Sequence, residues 1–228
     1  MTKLYWADVR ALEEETLFRK LYARVNGQRK AKIDALRFPA DKARSLGAGL
    51  LLEAALRDWG CSGELLLSRG EWGKPCLAER PDVHFNLSHS GDLVLCAVSH
   101  GEVGCDVQRM DGWNPGLAER FFSPEETAWL FSLPEGERCA GFYRLWTLKE
   151  SFVKATGLGL SLKFPGFSMV MTEAAPRVNQ TRFPGKAFFF REWTVAEGYC
   201  CACCAGEDAF VPPEEVKLVL DSITEHIL

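Results

Sequence analysis

A long helix followed by antiparallel strands occurs twice along this chain, and the two occurrences are in step. Gly91-Asp92-Leu93-Val94-Leu95-Cys96-Ala97 and Gly198-Tyr199-Cys200-Cys201-Ala202-Cys203-Cys204 lie 107 positions apart, each a glycine that opens a turn before an apolar strand. Repetition of that order predicts two similar α+β halves rather than one irregular domain. The length agrees. At 228 residues the chain is one and a half domains of about 150 residues each. A chain of this size buries roughly 70% of its unfolded surface and needs neither disulfides nor a structural metal to supplement its core.

The elements can be placed from local signals. A helix is expected from Asp41, as N-cap, to about Trp59, with Gly60 as its stop. Short strands are expected at Leu65 to Leu67 and Val83 to Leu87, and a fully apolar one at Leu93 to Val98, with Ser88-His89-Ser90-Gly91-Asp92 as a turn between the last two. Val103 to Gln108 alternates, which puts Val103, Cys105 and Val107 on one face and Asp106 and Gln108 on the other. A loop with Trp113 and Pro115 follows, then the capping box Ser123-Pro124-Glu125-Glu126. A second long helix is expected from about Glu137 to Ala155, ending at Gly157. Phe142, Leu145, Leu148, Phe152 and Ala155 form its apolar stripe, and Tyr143, Thr147, Glu150 and Lys154 a more polar one. Strands at Phe167 to Met171, Phe188 to Val195 and Tyr199 to Ala205 precede an acidic tail ending in Ile227-Leu228.

Charge is uneven. The chain carries −4 overall, yet Arg19 to Arg44 holds nine basic residues against Asp34 and Asp41, leaving +7 there and −11 elsewhere. Either this stretch is a solvated basic helix or it binds phosphate, which Lys and Arg near a helix start do well. Nucleic acid is excluded because the excess is confined to one region and no nucleic-acid-binding motif accompanies it. The N-terminal residues lack a long apolar run, and no stretch approaches about 18 uncharged apolar residues, so a membrane or secreted location is not expected. Nine cysteines, an odd number in a chain this long, point to free thiols in a reducing cytoplasm.

Asp106 and Gln108 on one strand face, with Glu150 on a helix, make a possible oxygen cluster for a hard cation such as Mg²⁺. The same residues also read as an ordinary surface Asp and a helix Glu paired with Lys154 one turn on.

Five blocks decide between these readings. Gly73-Lys74-Pro75, Phe85-Asn86-Leu87-Ser88-His89-Ser90-Gly91, Gly104-Cys105-Asp106-Val107, Arg120-Phe121-Phe122-Ser123 and Trp146-Thr147-Leu148-Lys149-Glu150-Ser151-Phe152-Val153-Lys154 occur in this order. Together they resemble an Sfp-type 4′-phosphopantetheinyl transferase. The resemblance implies a pseudo-twofold pair of α+β subdomains, each a long helix packed on an antiparallel sheet, with the active site at their junction. Residues 1–105 would form the first and 106–228 the second, and the fused pair would be a monomer. The implied reaction moves the phosphopantetheine arm of coenzyme A onto a serine of an acyl-carrier or peptidyl-carrier protein. It releases adenosine 3′,5′-bisphosphate and requires Mg²⁺, with Mn²⁺ as a possible substitute. Carriers of polyketide and peptide synthetases are the expected partners.

The resemblance also assigns roles. Asp106 and Glu150 would hold the metal, with Gln108 offering an amide oxygen where many members have Glu. Glu150, or a water it holds, would be the base, and Lys154 would contact the pyrophosphate with Lys149 assisting. Ser88 and His89 match the turn that holds coenzyme A phosphates. Lys74 and Pro75 would lie by the adenine and its 3′-phosphate, with Arg44, Ser45, Arg29 and Lys32 over the same group. The second half would carry the metal ligands and the carrier-docking surface. Loss of one negative charge at Gln108 leaves open a catalytically weakened coenzyme A-binding protein.

Other readings stay beside these. His89 is a local hydrogen-bonding residue, a phosphate contact or a base. The Cys200 to Cys204 run is read as core, because zinc ligands usually come as spaced pairs on turns whereas adjacent strand side chains point to opposite faces, and a cysteine-rich metal or redox protein is the rival of another class. Trp113 is the preferred carrier-docking aromatic, while Phe121 and Phe122 are equally suited to the core.

Overall fold

The computed structural model describes residues 1–61, 66–172 and 174–219. The expected strand start at Leu65 and the acidic tail at Ile227-Leu228 lie outside them. The first half contains β1 (Thr2–Asp8), α1 (Glu15–Tyr22), α2 (Gly27–Asp34), α3 (Pro39–Asp58), β2 (Leu67–Arg69), β3 (Pro75–Leu77), β4 (His84–Ser90) and β5 (Leu93–Ser99). The second contains β6 (Val103–Arg109), α4 (Pro115–Phe121), α5 (Pro124–Ser132), α6 (Arg138–Thr156), β7 (Ser168–Val170), β8 (Arg177–Asn179), β9 (Phe189–Trp193) and β10 (Tyr199–Ala205). A final short strand, β11 (Glu214–Glu215), returns to the first half.

The repeat in the sequence is a repeat in topology. One sheet has the order β11-β1-β5-β4 and the other β6-β10-β9, so β1, β5 and β4 correspond to β6, β10 and β9. Residue registers agree: Trp6 pairs with Leu95, and Asp106 pairs with Ala202, 107 positions beyond Leu95. The symmetry mate of Asp106 is therefore Trp6. The two copies thus differ in residue chemistry at this position.

α3 packs on the outer face of the first sheet and α6 on that of the second, while the inner faces meet through Leu4, Leu95, Ala97, Val103, Cys105, Val107, Cys201 and Cys203. Ala202 and Cys204 turn the other way into the second core, which is dominated by Phe142, Phe152, Phe167 and Phe190. This alternation makes Cys201, Cys203 and Cys204 fully or almost fully buried core residues, as small apolar side chains between two layers should be.

Several boundaries differ from the sequence expectation. α3 begins at Pro39, with Phe38 as N-cap, because proline suits the first helical position and its missing N–H costs nothing there. Asp41 falls in the first turn instead. The basic stretch forms two short helices, α1 and α2, before α3 starts. β4 continues through Ser90, so the turn shrinks to Gly91-Asp92, with Gly91 at φ 53° as the tight two-residue connection requires. Asn114 caps α4 through Gly116 N, turning part of the expected loop helical. A boundary at 105/106 would cut β6, which pairs along its whole length with β10, so the halves divide between Ser99 and Val103. β11 is parallel to β1, the one departure from antiparallel pairing among the described strands. The capping box at Ser123, the ends of α6 and the αL Gly157 agree with the sequence reading.

The segment leading to β11 forms a strap. Thr2 N donates to Ala209 O, Val211 N to Thr2 O and Val216 N to Trp6 O along β1, while Asp208 meets Arg191 and Phe210 packs on Trp193 of β9. Leu218 closes the first core.

Candidate active site

β4 and β6 lie edge to edge at the junction of the two sheets, and side chains replace the ladder between them. Asn86, Ser88 and Ser90, at every second position of β4, accept from the backbone N–H groups of Cys105, Val107 and Arg109 at 2.9, 3.3 and 3.1 Å. Ser88 and His89 are thus strand residues, not turn residues. Period-two alternation of short oxygen-bearing side chains was the signal, and it was outweighed by the turn propensity of Ser-His-Ser-Gly.

α6 is brought onto β6 by an absent side chain. A Cβ on Gly104 would stand 2.1 Å from Ser151 O and 2.3 Å from Ala155 N, so only glycine lets the helix backbone approach this closely. The turn of α6 from Glu150 to Lys154 then faces Asp106. Asp106 is 1% exposed. Its Oδ1 accepts from Lys154 Nζ at 2.6 Å and Ser88 Oγ at 2.7 Å, and its Oδ2 from Gln108 Nε2 at 3.1 Å. Lys154 Nζ also donates to Ser88 Oγ at 3.0 Å and Cys105 O at 3.2 Å. Burial works against the charge on Lys154, but Asp106, with Cys105 and Glu150, holds its pKa above the ordinary lysine value.

Glu150 is different. No hydrogen bond or ion pair joins its carboxylate among the described residues, and burial followed by the charge of Asp106 raises its pKa against the pull of Lys154. An unpaired carboxylate beside a second one, with a Gln108 amide oxygen also unspent, is a set of hard oxygen donors that a divalent cation would satisfy. The residues fit Mg²⁺. Cation charge would relieve the repulsion that now raises Glu150.

Two cavities matter here, one in the first half that reaches β4 at Phe85 and Leu87 and one that Glu150 and Lys154 line. The first, about 710 Å³, is lined by Arg24, Arg29, Lys32, Arg69, Pro75 and Phe85 among others. Burial lowers the pKa of Arg29, and burial with Arg29 and Arg69 nearby lowers that of Lys32. No carboxylate is bonded to Arg29, Lys32 or Arg69 among the described residues, so the cations repel one another across a space suited to an anion. Arg29 donates to Ser45 O at 3.3 Å, its stem lying where a Cβ on Gly49 would be. Ser45 Oγ is closed off from the surface and is the one buried side-chain N or O atom among the described residues with no hydrogen-bond partner. Arg44 holds Asp41 and donates to Gly91 O at 3.0 Å. His89 is exposed on β4, and loss of hydration around its ring together with Arg44, Lys154 and Lys32 pushes its pKa down.

The second cavity, about 540 Å³, is a mainly apolar groove of Trp72, Phe121, Trp146, Leu160 and Phe164, with Lys74, Glu150 and Lys154 also in its lining. Here the choice of aromatic reverses: Phe121 lines the groove, whereas Trp113 packs against Phe131 and Phe142. Phe122 is core. Arg69 and Trp72 escaped the sequence reading because a three-residue hairpin strand and a lone loop tryptophan carry no periodic signal.

Two expected ligand contacts are engaged elsewhere. Lys149 is 0% exposed, and its Nζ donates to both oxygens of Glu126, at 2.8 and 2.9 Å, and to Phe167 O at 2.8 Å. It follows Leu148 around the helix into the second core, one residue away from the polar face that carries Glu150. Lys74 Nζ donates to Val103 O at 2.8 Å, Lys154 O at 2.7 Å and Ala155 O at 3.3 Å, while its neighbour Pro75 does line the basic cleft.

Known proteins share this arrangement of sequence. Residues 102–204 match the 4′-phosphopantetheinyl transferase superfamily and residues 13–101 the N-terminal part of a 4′-phosphopantetheinyl transferase. The 4′-phosphopantetheinyl transferase ffp of Bacillus subtilis is 32% identical over 209 residues, covering 91% of this chain and 92% of that protein. This chain belongs to the 4′-phosphopantetheinyl transferase superfamily. The transferase Sfp of Bacillus subtilis strain 168 is 35% identical over 156 residues, 68% of this transferase and 69% of its own length. A putative 4′-phosphopantetheinyl transferase of Synechocystis is 40% identical over 146 residues, 61% of this chain and 59% of that one. In this transferase the matches to the two family regions meet between Gly101 and Glu102, where the two sheets also divide.

Proposed function

We propose that this transferase carries the 4′-phosphopantetheine arm of coenzyme A to a serine hydroxyl of an apo acyl-carrier or peptidyl-carrier protein, releasing adenosine 3′,5′-bisphosphate. The observation that carries the reading is the buried Asp106, bonded to Lys154 beside an unpaired Glu150, with Glu150 and Lys154 lining an apolar groove and a cationic cleft reaching the neighbouring strand β4 at Phe85 and Leu87. A coenzyme A nucleotide end would take the cleft, with Arg29, Lys32, Arg44 and Arg69 meeting its phosphates. Pro75 and Phe85 offer apolar surface to the base. Ser88 and His89 would line the path of the pyrophosphate, whereas Ser45 Oγ, closed off from the surface, is out of reach of a phosphate at Arg44.

Asp106, Glu150 and Gln108 would hold Mg²⁺, or Mn²⁺ in its place, and the bound cation would neutralise charge on the pyrophosphate oxygens. Glu150 would accept the proton of the carrier serine as its oxygen forms a bond to the phosphorus attached to the pantetheine. The bond from that phosphorus to the bridging oxygen breaks, and adenosine 3′,5′-bisphosphate leaves with the bonding electrons. Lys154, already oriented by Asp106 and Ser88, would place its ammonium against the negative charge that develops on the leaving group. Phe121, Trp146 and Phe164 would form apolar surface beside the arm or the carrier.

No helix among the described residues is long and apolar enough to cross a membrane; a cytoplasmic monomer serving polyketide or peptide synthetase carriers is the proposed setting. Incubation with coenzyme A, Mg²⁺ and apo carriers, followed by intact mass, tests the reading. The phosphopantetheine adduct should form, and Asp106→Ala and Glu150→Ala should remove it. Coenzyme A binding without an adduct on several carriers would leave only a ligand-binding protein.

A further inference from the structure

Lys74 sits where a ligand-binding lysine would be expected, and it has nothing left to offer a ligand. An ammonium has three N–H donors, and all three go to backbone carbonyls of other elements: Val103 O at the start of β6 and Lys154 O and Ala155 O in the last turn of α6. Those two helix carbonyls belong to the terminal group that no later turn of the helix can satisfy, because α6 ends at Thr156 and turns away at Gly157, φ 72°. A cation is also favoured at this end of the helix by the dipole. The aliphatic stem lies over Gly157, whose missing Cβ would stand 3.5 Å from Lys74 Cδ.

The donor and acceptors come from different halves. Lys74 precedes Pro75, which opens β3 and lines the basic cleft, and follows Gly73 at φ 82° in the turn that joins β2 to β3. Lys154, whose carbonyl it holds, is the residue whose ammonium grips Asp106 and Ser88. Lys74 thus spans from the wall of the cleft to the reacting cluster.

We propose that Lys74 is a positioning residue that caps α6 across the junction of the halves, fixing the turn that carries Lys154 relative to the hairpin walling the cleft. This role rests on the transfer reading for its effect on rate, but the cap itself does not. In the cap, lysine supplies what neither a shorter nor a neutral side chain does: reach across the seam, three donors and a charge at the negative end of the helix.

The test is Lys74→Met in the full chain, which keeps most of the stem and removes the donors. Hydrogen exchange without ligand should accelerate about tenfold or more at residues 154–158 while the first turns of α6 are unchanged. In the carrier assay kcat should fall by about tenfold with the KM for coenzyme A within about threefold, and Lys74→Arg should restore part of the rate. Unchanged exchange at 154–158 would overturn the cap. A tenfold rise in KM at unchanged kcat would make Lys74 a ligand contact after all. If Lys74→Met does not fold, Lys74→Gln gives the same exchange comparison. If the unaltered chain transfers nothing to any carrier, the transfer reading fails, while the exchange result still decides the cap.

Discussion

Substituting Lys149 separates two roles that the Trp146 to Lys154 wording leaves fused. Lys149 and Glu126 are both 0% exposed in their side chains, and the Glu126 carboxylate also accepts from Ser123 N at 2.7 Å and Met169 N at 2.6 Å. The pair therefore joins α5, α6 and the strand β7. Lys149→Met would leave Glu126 buried with no counter-charge, a situation that costs about 3–5 kcal/mol. Against a typical domain stability of about 5–15 kcal/mol this is a large fraction, equivalent to a fall in Tm of roughly 10 °C for a chain of this size. Removing both charges should be far milder. In Lys149→Met/Glu126→Gln the amide can still accept one backbone N–H and offers a donor to Phe167 O, so at least half of the loss should return. Urea unfolding of the four proteins gives the coupling energy. Transfer measured on the folded fraction of Lys149→Met should stay within about threefold of the parent, since the lysine faces the core. The reasoning is refuted if Lys149→Met costs under about 1 kcal/mol, or if it abolishes transfer with stability intact.

Three further outcomes follow from the geometry. Gly104→Ala drives a methyl into the backbone of α6 at Ser151 and Ala155; it should cost about 1–3 kcal/mol or more and disable transfer, and activity within twofold of the parent would contradict the close approach. Gln108→Glu exchanges a donor to Asp106 for a third carboxylate, so half-maximal rate should need less Mg²⁺ while the reaction persists; complete loss of activity would count against the metal assignment. For Glu150 the sign works as follows: its folded pKa is raised, so from the ordinary glutamate value upward the folded state is slower to release the proton and stability falls as pH rises. Glu150→Gln should accordingly raise the metal-free unfolding midpoint near neutral pH, show no gain below the usual glutamate range, and abolish transfer; a lower midpoint at neutral pH would be the wrong sign.

Periodicity carried most of what the sequence could tell. α6, its capped end at Gly157 and the inward alternation of Val103, Cys105 and Val107 were legible because each rests on local backbone or a repeating face. Asp106 and Glu150 could be named as partners only through the wording of their blocks, since nothing in spacing says that Gly104 removes the barrier between strand and helix. Lys149 and Lys74 mislead for one physical reason: a lysine's reach is about 6 Å of flexible stem, and whether it ends at Glu126, at helix carbonyls or at a phosphate is decided by tertiary neighbours. The same holds for Ser88, whose turn propensity was overridden by the demand of β6 for acceptors along its open edge.

The strap before β11 has a consequence for stoichiometry. A twofold arrangement of these sheets creates two seams, one where β4 meets β6 and a mate where β9 would meet β1. The strap fills the second, bonded to β1 through Thr2 and Trp6 and leaning on Arg191 and Trp193 of β9. Trp6 occupies the place of Asp106 there. On the proposed function each chain would load one coenzyme A and serve one carrier at a time, and a calorimetric titration with coenzyme A should saturate at a single equivalent. That second seam has become a clasp: Leu218, beyond the second half's last sheet strand, closes the first half's core, so the first half is not complete until the second has been made.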